Sequence, residues 1–459
     1  MSRTSRTIAS LALAGVVWLS TGAAAQPVLT ADEAVKMALE RNSQIIGASA
    51  DVLSAKGGVH GAYSGVLPRV SLGYTRDGSW TNDSKGTELF AGMALASNVI
   101  EAESYMTTPS LSAQWAILDP SALFGLGAAR TGLKSAEWRR RATRNDVALE
   151  ARRAFYEVVK AARLVGVSTN ALQLARDNEK RVRVLFEVGS VSKSDLLRAQ
   201  VSTSQAELDS IISVQTLLVQ RDGLASFVGI EESKLGDVDT SLVVTVRVFD
   251  EGTVLREAEQ ERPDLRAALL AVKSAKSSLS SARSNYLPSL TLAGSRAVDT
   301  KSNYSSRGES QDLVTRLMEP YDRAGSRTTN SQMSARVSLT WDLFDGLATS
   351  ERIASARAQL LRAQASHDVL SRNLAAEVHE ALLTYQQVLA GEAVARRSMD
   401  FATENLKLTQ QKYNVGSATI LDLVDAQVQL QRAESQLVSA LAAIRVVEAR
   451  VERVRGRGV

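Results

Sequence analysis

The sequence predicts a mainly α protein made of two tandem repeats, each interleaving a membrane-type β-hairpin with a long helical hairpin. Three observations carry this prediction. Phe186 to Gln200, FEVGSVSKSDLLRAQ, returns 227 residues later as Tyr413 to Gln427, YNVGSATILDLVDAQ. Asn42 to Arg76 and Arg262 to Arg296 align without a gap at an offset of 220, sharing Lys56/Lys276, Leu67-Pro68/Leu287-Pro288, Leu72/Leu292 and Arg76/Arg296. After each Leu-Pro pair the hydrophobic period switches from helical to two, the mark of a strand with one apolar face. The expected division is a leader over 1–25, a first repeat over 26–240, a connector over 241–262 and a second repeat over 263–459.

Composition agrees with long helices. Aromatics make up 5% of the chain and there are 7 prolines in 459 residues, which suits extended helical rods better than a mixed core. Arg3 and Arg6, an apolar run from Ile8 to Leu19 and Thr-Gly-Ala-Ala-Ala before Gln26 form a secretory leader, with cleavage expected after Ala25. Without Arg3 and Arg6 the 54 basic residues fall to 52 against 50 acidic ones, so no nucleic-acid partner is implied. There are no cysteines, hence no disulfide and no acylated N-terminus. No run of 18 apolar residues follows the leader, so any membrane crossing is made by strands.

In chain order, Thr30 and Glu33 form a capping box that opens a short helix ending at Asn42. A second helix runs over about 43–66 and stops at Leu67-Pro68. A β-hairpin is expected over about 68–119, with Val70, Leu72 and Tyr74 alternating outward, a polar loop at 77–107, and a return through Leu111, Ala113, Trp115 and Ile117. A helical hairpin follows over about 123–229, its first arm of about 65 residues reaching roughly 100 Å at 1.5 Å per residue. Ala151, Phe155, Val158, Ala162, Val165, Thr169 and Leu172 follow a 4,3,4,3 spacing. Leu197, Val201, Ser204, Leu208, Ile211, Gln215 and Leu218 do the same, so each arm carries a coiled-coil seam. After the connector, with a short helix near Leu255 to Glu261, the pattern repeats. It gives a helix from about 263, a β-hairpin at 288–345 with a polar loop at 297–332, and a helical hairpin at 347–453.

At the turn of each helical hairpin, Gly189 or Gly416 supplies the left-handed residue that closes a helix. Ser190 or Ser192, and Ser417 or Thr419, are the candidate caps of the returning helix. Asp422 and Asp425, spaced i, i+3, put two carboxylates on one face of its first turns. Asp195 has a bland reading as a carboxylate favouring a helix N-terminus.

Four strands with an apolar outer face cannot close a barrel alone, and open edges are not tolerated in lipid; other copies of the chain must complete them. Here the sequence resembles the TolC-type family of outer membrane efflux and secretion channels. The resemblance rests on the Leu-Thr-x-x-Glu-Ala opening, both Leu-Pro leads into strands, Trp341 to Gly346 (Trp-x-Leu-Phe-Asp-Gly) and the two Val-Gly-Ser turns. It implies a homotrimer with a 12-stranded β-barrel in the outer membrane continued by a 12-helix α-barrel across the periplasm. It also implies a periplasmic adaptor and an inner-membrane pump as partners. Asp422 and Asp425 match the family's carboxylate rings at the closed mouth, where like charges would raise some pKa values. Asp195 and Tyr413 match a closed-state latch. An arginine of the family pattern is replaced by Ala418, so the latch is expected to rest on the Asp195–Tyr413 hydrogen bond. Gly189, Ser190, Gly416 and Ser417 are the expected adaptor-docking turns.

Catalysis is not expected. His60, His367 and His379 all lie on helical pattern, and His379 beside Glu377 and Glu380 lacks a third ligand; neither metal nor cofactor is implied. The competing class is an exported coiled-coil structural or adaptor protein without a membrane barrel. It accounts for the helices and leader but not for two alternating hairpins at the same place in each half.

Overall fold

The computed structural model describes residues 28–84, 89–90, 93–94, 99–307 and 324–457. The leader expected over 1–25 lies outside the described residues. In chain order the elements are α1 (Ala31–Arg41), α2 (Ser43–Tyr63), β1 (Arg69–Ser84), β2 (Leu89–Phe90), β3 (Met93–Ala94), β4 (Val99–Leu118), α3 (Pro120–Glu187) and α4 (Lys193–Val228). They continue with α5 (Glu251–Glu261), α6 (Pro263–Ser284), β5 (Ser289–Arg307), β6 (Ala324–Thr340), α7 (Ala348–Asn414) and α8 (Ile420–Val454).

The helices start where the sequence supplies caps. Thr30 and Glu33 form the expected reciprocal box on α1. α5 begins earlier than expected because the Asp250 carboxylate accepts from Thr253 N–H at 2.8 Å. Pro263 occupies the first turn of α6, where its missing N–H is no loss. The paired strand exits have a common construction. Trp115 Nε1–H donates to the Val66 carbonyl at 2.8 Å and Trp341 Nε1–H to the Tyr286 carbonyl at 3.0 Å. Asp119 and Asp345 then accept from the N–H groups of Ser121 and Thr349 that open the long helices α3 and α7. Each Trp thus ties the chain leaving the sheet to the chain approaching it.

The main sheet is antiparallel in the order β1-β4-β5-β6. Its strands are longer than the alternation alone indicates: most of 77–107 and of 297–332, expected as polar loops, is strand. β1 pairs with β4 from Arg69↔Gln114 to Ser84↔Val99, and β5 with β6 from Ser289↔Thr340 to Ser305↔Ala324. β4 and β5 pair with one irregularity at Ala116/Leu118.

Two compact units emerge, each drawing on both sequence repeats. One holds the described residues up to Asn42 with Leu149–Val246 and Gln386–Val447; the other holds Ser43–Ala148, Arg247–Tyr385 and Glu448–Val459. In the first, α3 buries Ala151, Phe155 and Val158 of its expected seam. The expected seam of α4 is not its buried face. Leu197, Val201, Leu208, Ile211 and Leu218 are each about half exposed or more, while Ala199, Ala206 and Leu224 are buried. Small residues let α4 approach its neighbours within one chain, and the larger ones are left outward. In the second unit, Arg262 is buried between Asp264 and Glu377, and the Tyr385 ring meets Phe249 edge-on at 5.1 Å.

Candidate functional site

The duplicated turns fold as duplicated structure. Gly189 (φ 75°) and Gly416 (φ 78°) are left-handed. The Ser190 N–H reaches the Leu185 carbonyl at 2.8 Å and the Ser417 N–H the Lys412 carbonyl at 2.9 Å. The glycine N–H groups bond Phe186 and Tyr413. This double closure is the Schellman arrangement, which a residue with a Cβ enters only under strain. Ser190 and Ser417 therefore finish the outgoing helix, and the returning helices are capped by Ser192 and Thr419.

Each cap recruits a carboxylate from one turn ahead. Asp195 Oδ2 accepts from Ser192 Oγ at 2.7 Å and from its N–H at 3.3 Å. Asp422 Oδ2 accepts from the Thr419 N–H and Oγ1, both at 2.8 Å. The Thr419 N–H, then its hydroxyl, hold the Asp422 carboxyl below its ordinary value. Within one chain this is opposite to the rise expected of a carboxylate ring, because two local donors stabilise the charge. Asp425 lies one turn on, exposed like Asp422.

The hydrogen bond expected between Asp195 and Tyr413 is not formed within the single chain, where Oδ2 of the carboxylate bonds Ser192. Tyr413 packs against Val182, Ala199 and Ile420 on one side and Leu406, Leu423 and Ala426 on the other. Its buried hydroxyl has no hydrogen-bond partner among the described residues. Burial, and then the negative charge of Asp195, raise the phenol pKa, with Arg181 opposing. The two side chains are electrostatic neighbours without being bonded. Beside them a groove of about 1070 Å³ runs between α3, α4 and α8, lined by Leu197, Val201, Gln205, Val424, Gln427 and Gln431 among others. Sequence reading missed this groove because it assigned Leu197 and Val201 to an internal seam.

The sheet has two chemically distinct faces. Register places Val70, Leu72 and Tyr74 on the same face as Leu111, Trp115, Leu292, Val337 and Leu339. Farther along this face Trp80 meets Tyr105 edge-on at 6.2 Å, and Tyr105 meets Tyr304 at 6.4 Å. From Trp115 to Tyr105 is roughly 33 Å along β4, or about 25 Å after a strand tilt of about 40°, the height of a lipid-facing band between aromatic girdles. The opposite face is polar. Ser71 and Ser112 share a hydrogen bond at 2.7 Å, Ser295 and Ser334 one at 2.8 Å, and Thr108 donates to Asp299 at 2.8 Å. The outer aromatic cluster lay hidden in segments read as loops; counting the two-residue parity onward from Tyr74 reaches Trp80 and could have found it.

The family model described as outer membrane efflux protein matches residues 34–229 and 254–457. The chain belongs to this family. The gap between the two matched segments falls on the connector. The outer membrane protein TolC of Vibrio cholerae is 24% identical over 418 residues, covering 89% of this chain and 86% of that one. The protein CyaE of Bordetella pertussis is 23% identical over 316 residues, 68% of this chain and 63% of its own. Among solved structures, the CmeC outer membrane channel of Campylobacter jejuni has TM-score 0.73 at 17% identity, covering 93% of this chain and 86% of that one. A membrane protein of Pseudomonas aeruginosa has TM-score 0.73 at 18% identity, covering 93% and 90%. The fold is that of these outer membrane channels, and this family member is an outer membrane channel for efflux or secretion, as the duplicated turns and strand exits implied. The family is one of channel proteins, and the reading as a coiled-coil protein without a membrane sheet is set aside.

Proposed function

We propose that three copies of this chain close a 12-stranded barrel continued by a 12-helix tunnel, forming the passive exit duct of an efflux or secretion machine. Each protomer contributes two tandem repeats, 26–240 and 263–459, joined by the connector. The observation that carries this reading is the sheet itself. It has one apolar and one hydroxyl-lined face, and β1 and β6 are edges without a neighbouring strand among the described residues. Lipid does not tolerate such edges, so they pair between copies. The exposed large side chains of α4 support the same assembly, because a long helix leaves such a stripe outward only where another helix covers it.

In this reading Asp422 and Asp425 ring the periplasmic mouth, and Gly189, Ser190, Gly416 and Ser417 receive the hairpin of a periplasmic adaptor bound to an inner-membrane pump. The latch between Asp195 and Tyr413 forms when the Asp195 carboxylate, bonded to Ser192 through Oδ2, also accepts from the Tyr413 hydroxyl. No catalytic step is assigned to the chain; the pump supplies the energy. The test is biochemical. Outer membrane fractions are expected to contain SDS-resistant, heat-modifiable trimers. Gly416→Trp is expected to leave trimers intact and abolish export. Monomers soluble without detergent would overturn the assembly, and full export by Gly416→Trp trimers would overturn the docking site.

A further inference from the structure

The polar face of the sheet is not uniformly neutral. Arg69 on β1, Gln114 on β4, Ala293 on β5 and Arg336 on β6 stand on one rung, by the registers Arg69↔Gln114, Gln114↔Ala293 and Ala293↔Arg336. Both arginines are exposed, and neither has a hydrogen-bond or ion-pair partner among the described residues. Two residues along, the next rung on this face is Ser71, Ser112, Ser295 and Ser334, a collar of hydroxyls that carries no charge. The acidic residues at register positions on this face are Asp299, Asp77 and, farther still along β1, Asp83. Asp299 is six residues from Ala293 along β5, roughly 20 Å at about 3.3 Å per residue. Asp77 shares a rung with Lys301, which offsets it. That distance is about twice the Debye length of roughly 8–10 Å at physiological salt, so the carboxylates do not neutralise the arginines.

The two arginines also occupy the two edge strands. In a closed assembly, Arg336 of one copy and Arg69 of the next lie on neighbouring strands at every seam. Like charges on adjoining strands work against pairing, so stability does not explain them. Twelve strands spaced about 4.8 Å apart and tilted about 40° give a barrel roughly 24 Å across between backbones. Long side chains reaching inward from all sides narrow that bore to about the Debye length, so the charges act on the same volume of solution. Guanidinium forks match phosphate and carboxylate oxygens.

We propose that Arg69 and Arg336 form a cationic ring inside the barrel, a binding site for multivalent anions that gives this stretch of the conduit an anion preference. The proposal rests on the trimeric channel of the preceding section and adds a selectivity element to it. The ring stands alone on its neutral collar and acts on whatever passes as rings of charged side chains do in other pores.

The experiment uses the full-length protein in planar bilayers, with inorganic tripolyphosphate as the probe added to each side in turn. Wild type is expected to be blocked in a voltage-dependent manner from at least one side. Arg69→Gln/Arg336→Gln is expected to need at least tenfold more probe, and its reversal potential in a KCl gradient to move toward cation preference. The Lys/Lys double variant keeps the charge without the fork and is expected to fall between them. Arg76→Gln, on the opposite face, is expected to behave as wild type. Equal block in wild type and the Gln double variant, or equal loss of block in Arg76→Gln, would overturn the ring while leaving the channel standing. Should the double variant not assemble, each single Gln variant is expected to lose part of the block, and unchanged block in both would overturn the ring as well. A wild-type protein that forms no conducting pore would instead overturn the channel reading itself.

Discussion

Arg262 is the position where a single substitution has the largest consequence that can be worked from the structure. It begins α6 with its side chain 5% exposed, against Asp264 and Glu377, whose carboxylates are 25% and 37% exposed. Its Nη1 donates to Glu377 Oε2 and its Nη2 to Asp264 Oδ2, both at 2.5 Å. Replacing it with Met keeps the apolar stem and removes the charge. Breaking a fully buried pair costs about 3–5 kcal/mol, because the partner charges are left uncompensated. Here the loss is smaller. Glu377 regains solvent and lies 3.8 Å from Arg453, and Asp264 keeps the Leu265 N–H at 2.9 Å. We expect about 2–3 kcal/mol for Arg262→Met, recovered in large part by adding Asp264→Asn and Glu377→Gln, which remove the orphaned charges. Helix loss in denaturant, followed by circular dichroism on detergent-solubilised protein, measures both. The carboxyl of Asp264 supplies an independent pH signature. Burial would raise its pKa, but the hydrogen bond and charge of Arg262 outweigh burial and hold it below the ordinary value. A carboxyl depressed in this way contributes stability above its unfolded pKa, near 4, and that contribution is lost as pH falls through the folded value. Wild type should therefore lose stability on acidification below about pH 4 more steeply than Arg262→Met. An Arg262→Met protein within about 0.5 kcal/mol of wild type, or a charge-free triple variant no better than the single one, would refute the reasoning.

Other perturbations follow from the turns. Tyr413→Phe removes a buried hydroxyl that has no partner among the described residues, so thermal stability is expected to be unchanged or higher; a drop in melting temperature would show the hydroxyl bonded. In planar bilayers a rise in conductance for the same variant would assign the latch to the assembled closed state. Ser192→Ala removes the cap on α4 and is expected to cost about 1 kcal/mol, measured by denaturant midpoint. Thr419→Ala takes the hydroxyl donor from Asp422 but leaves the backbone N–H, the larger cause of its depression, so its titration, followed by NMR, should move only part of the way up toward the ordinary carboxylate range.

The parts of this fold legible in sequence are those set by local backbone chemistry. A Gly that must be left-handed, a Leu-Pro that must stop a helix and a Trp-x-Leu-Phe-Asp-Gly exit each act within a few residues, and all landed where expected. Strand length was less legible. Alternation marks a strand only while one face is apolar and the other polar, and beyond Arg76 both faces carry Gly, Ser, Thr and Asn. The seam of α4 was misjudged for a different reason. A heptad pattern shows that Leu197, Val201 and Leu208 will be covered, but not whether the cover is the same chain. At the site, the spacing of Asp195 and Asp422 from the glycines was visible, yet their engagement as cap carboxylates depends on which of two hydroxyls serves as the cap.

The edges of the sheet allow the assembly to be tested residue by residue. In the order β1-β4-β5-β6 successive strands alternate in direction, so β6 of one copy meets β1 of the next antiparallel, and any number of copies continues the pattern unbroken. Within one chain β1 and β6 are three strand spacings apart, roughly 14 Å, twice the limit of about 7 Å between Cα atoms for a disulfide. The chain has no cysteine of its own. Any bridge between a cysteine placed on β1 and one placed on β6 must therefore join two molecules. Ser334→Cys combined in turn with Ser71→Cys, Gly73→Cys or Thr75→Cys samples three registers on the polar face. One of these pairs is expected to give a covalent dimer and trimer ladder after mild oxidation, and the pair that does so fixes the seam register and how closely Arg336 approaches Arg69. If no pairing across several further registers cross-links while the protein remains in the outer membrane, β1 and β6 do not meet, and the barrel is not closed by copies of this chain.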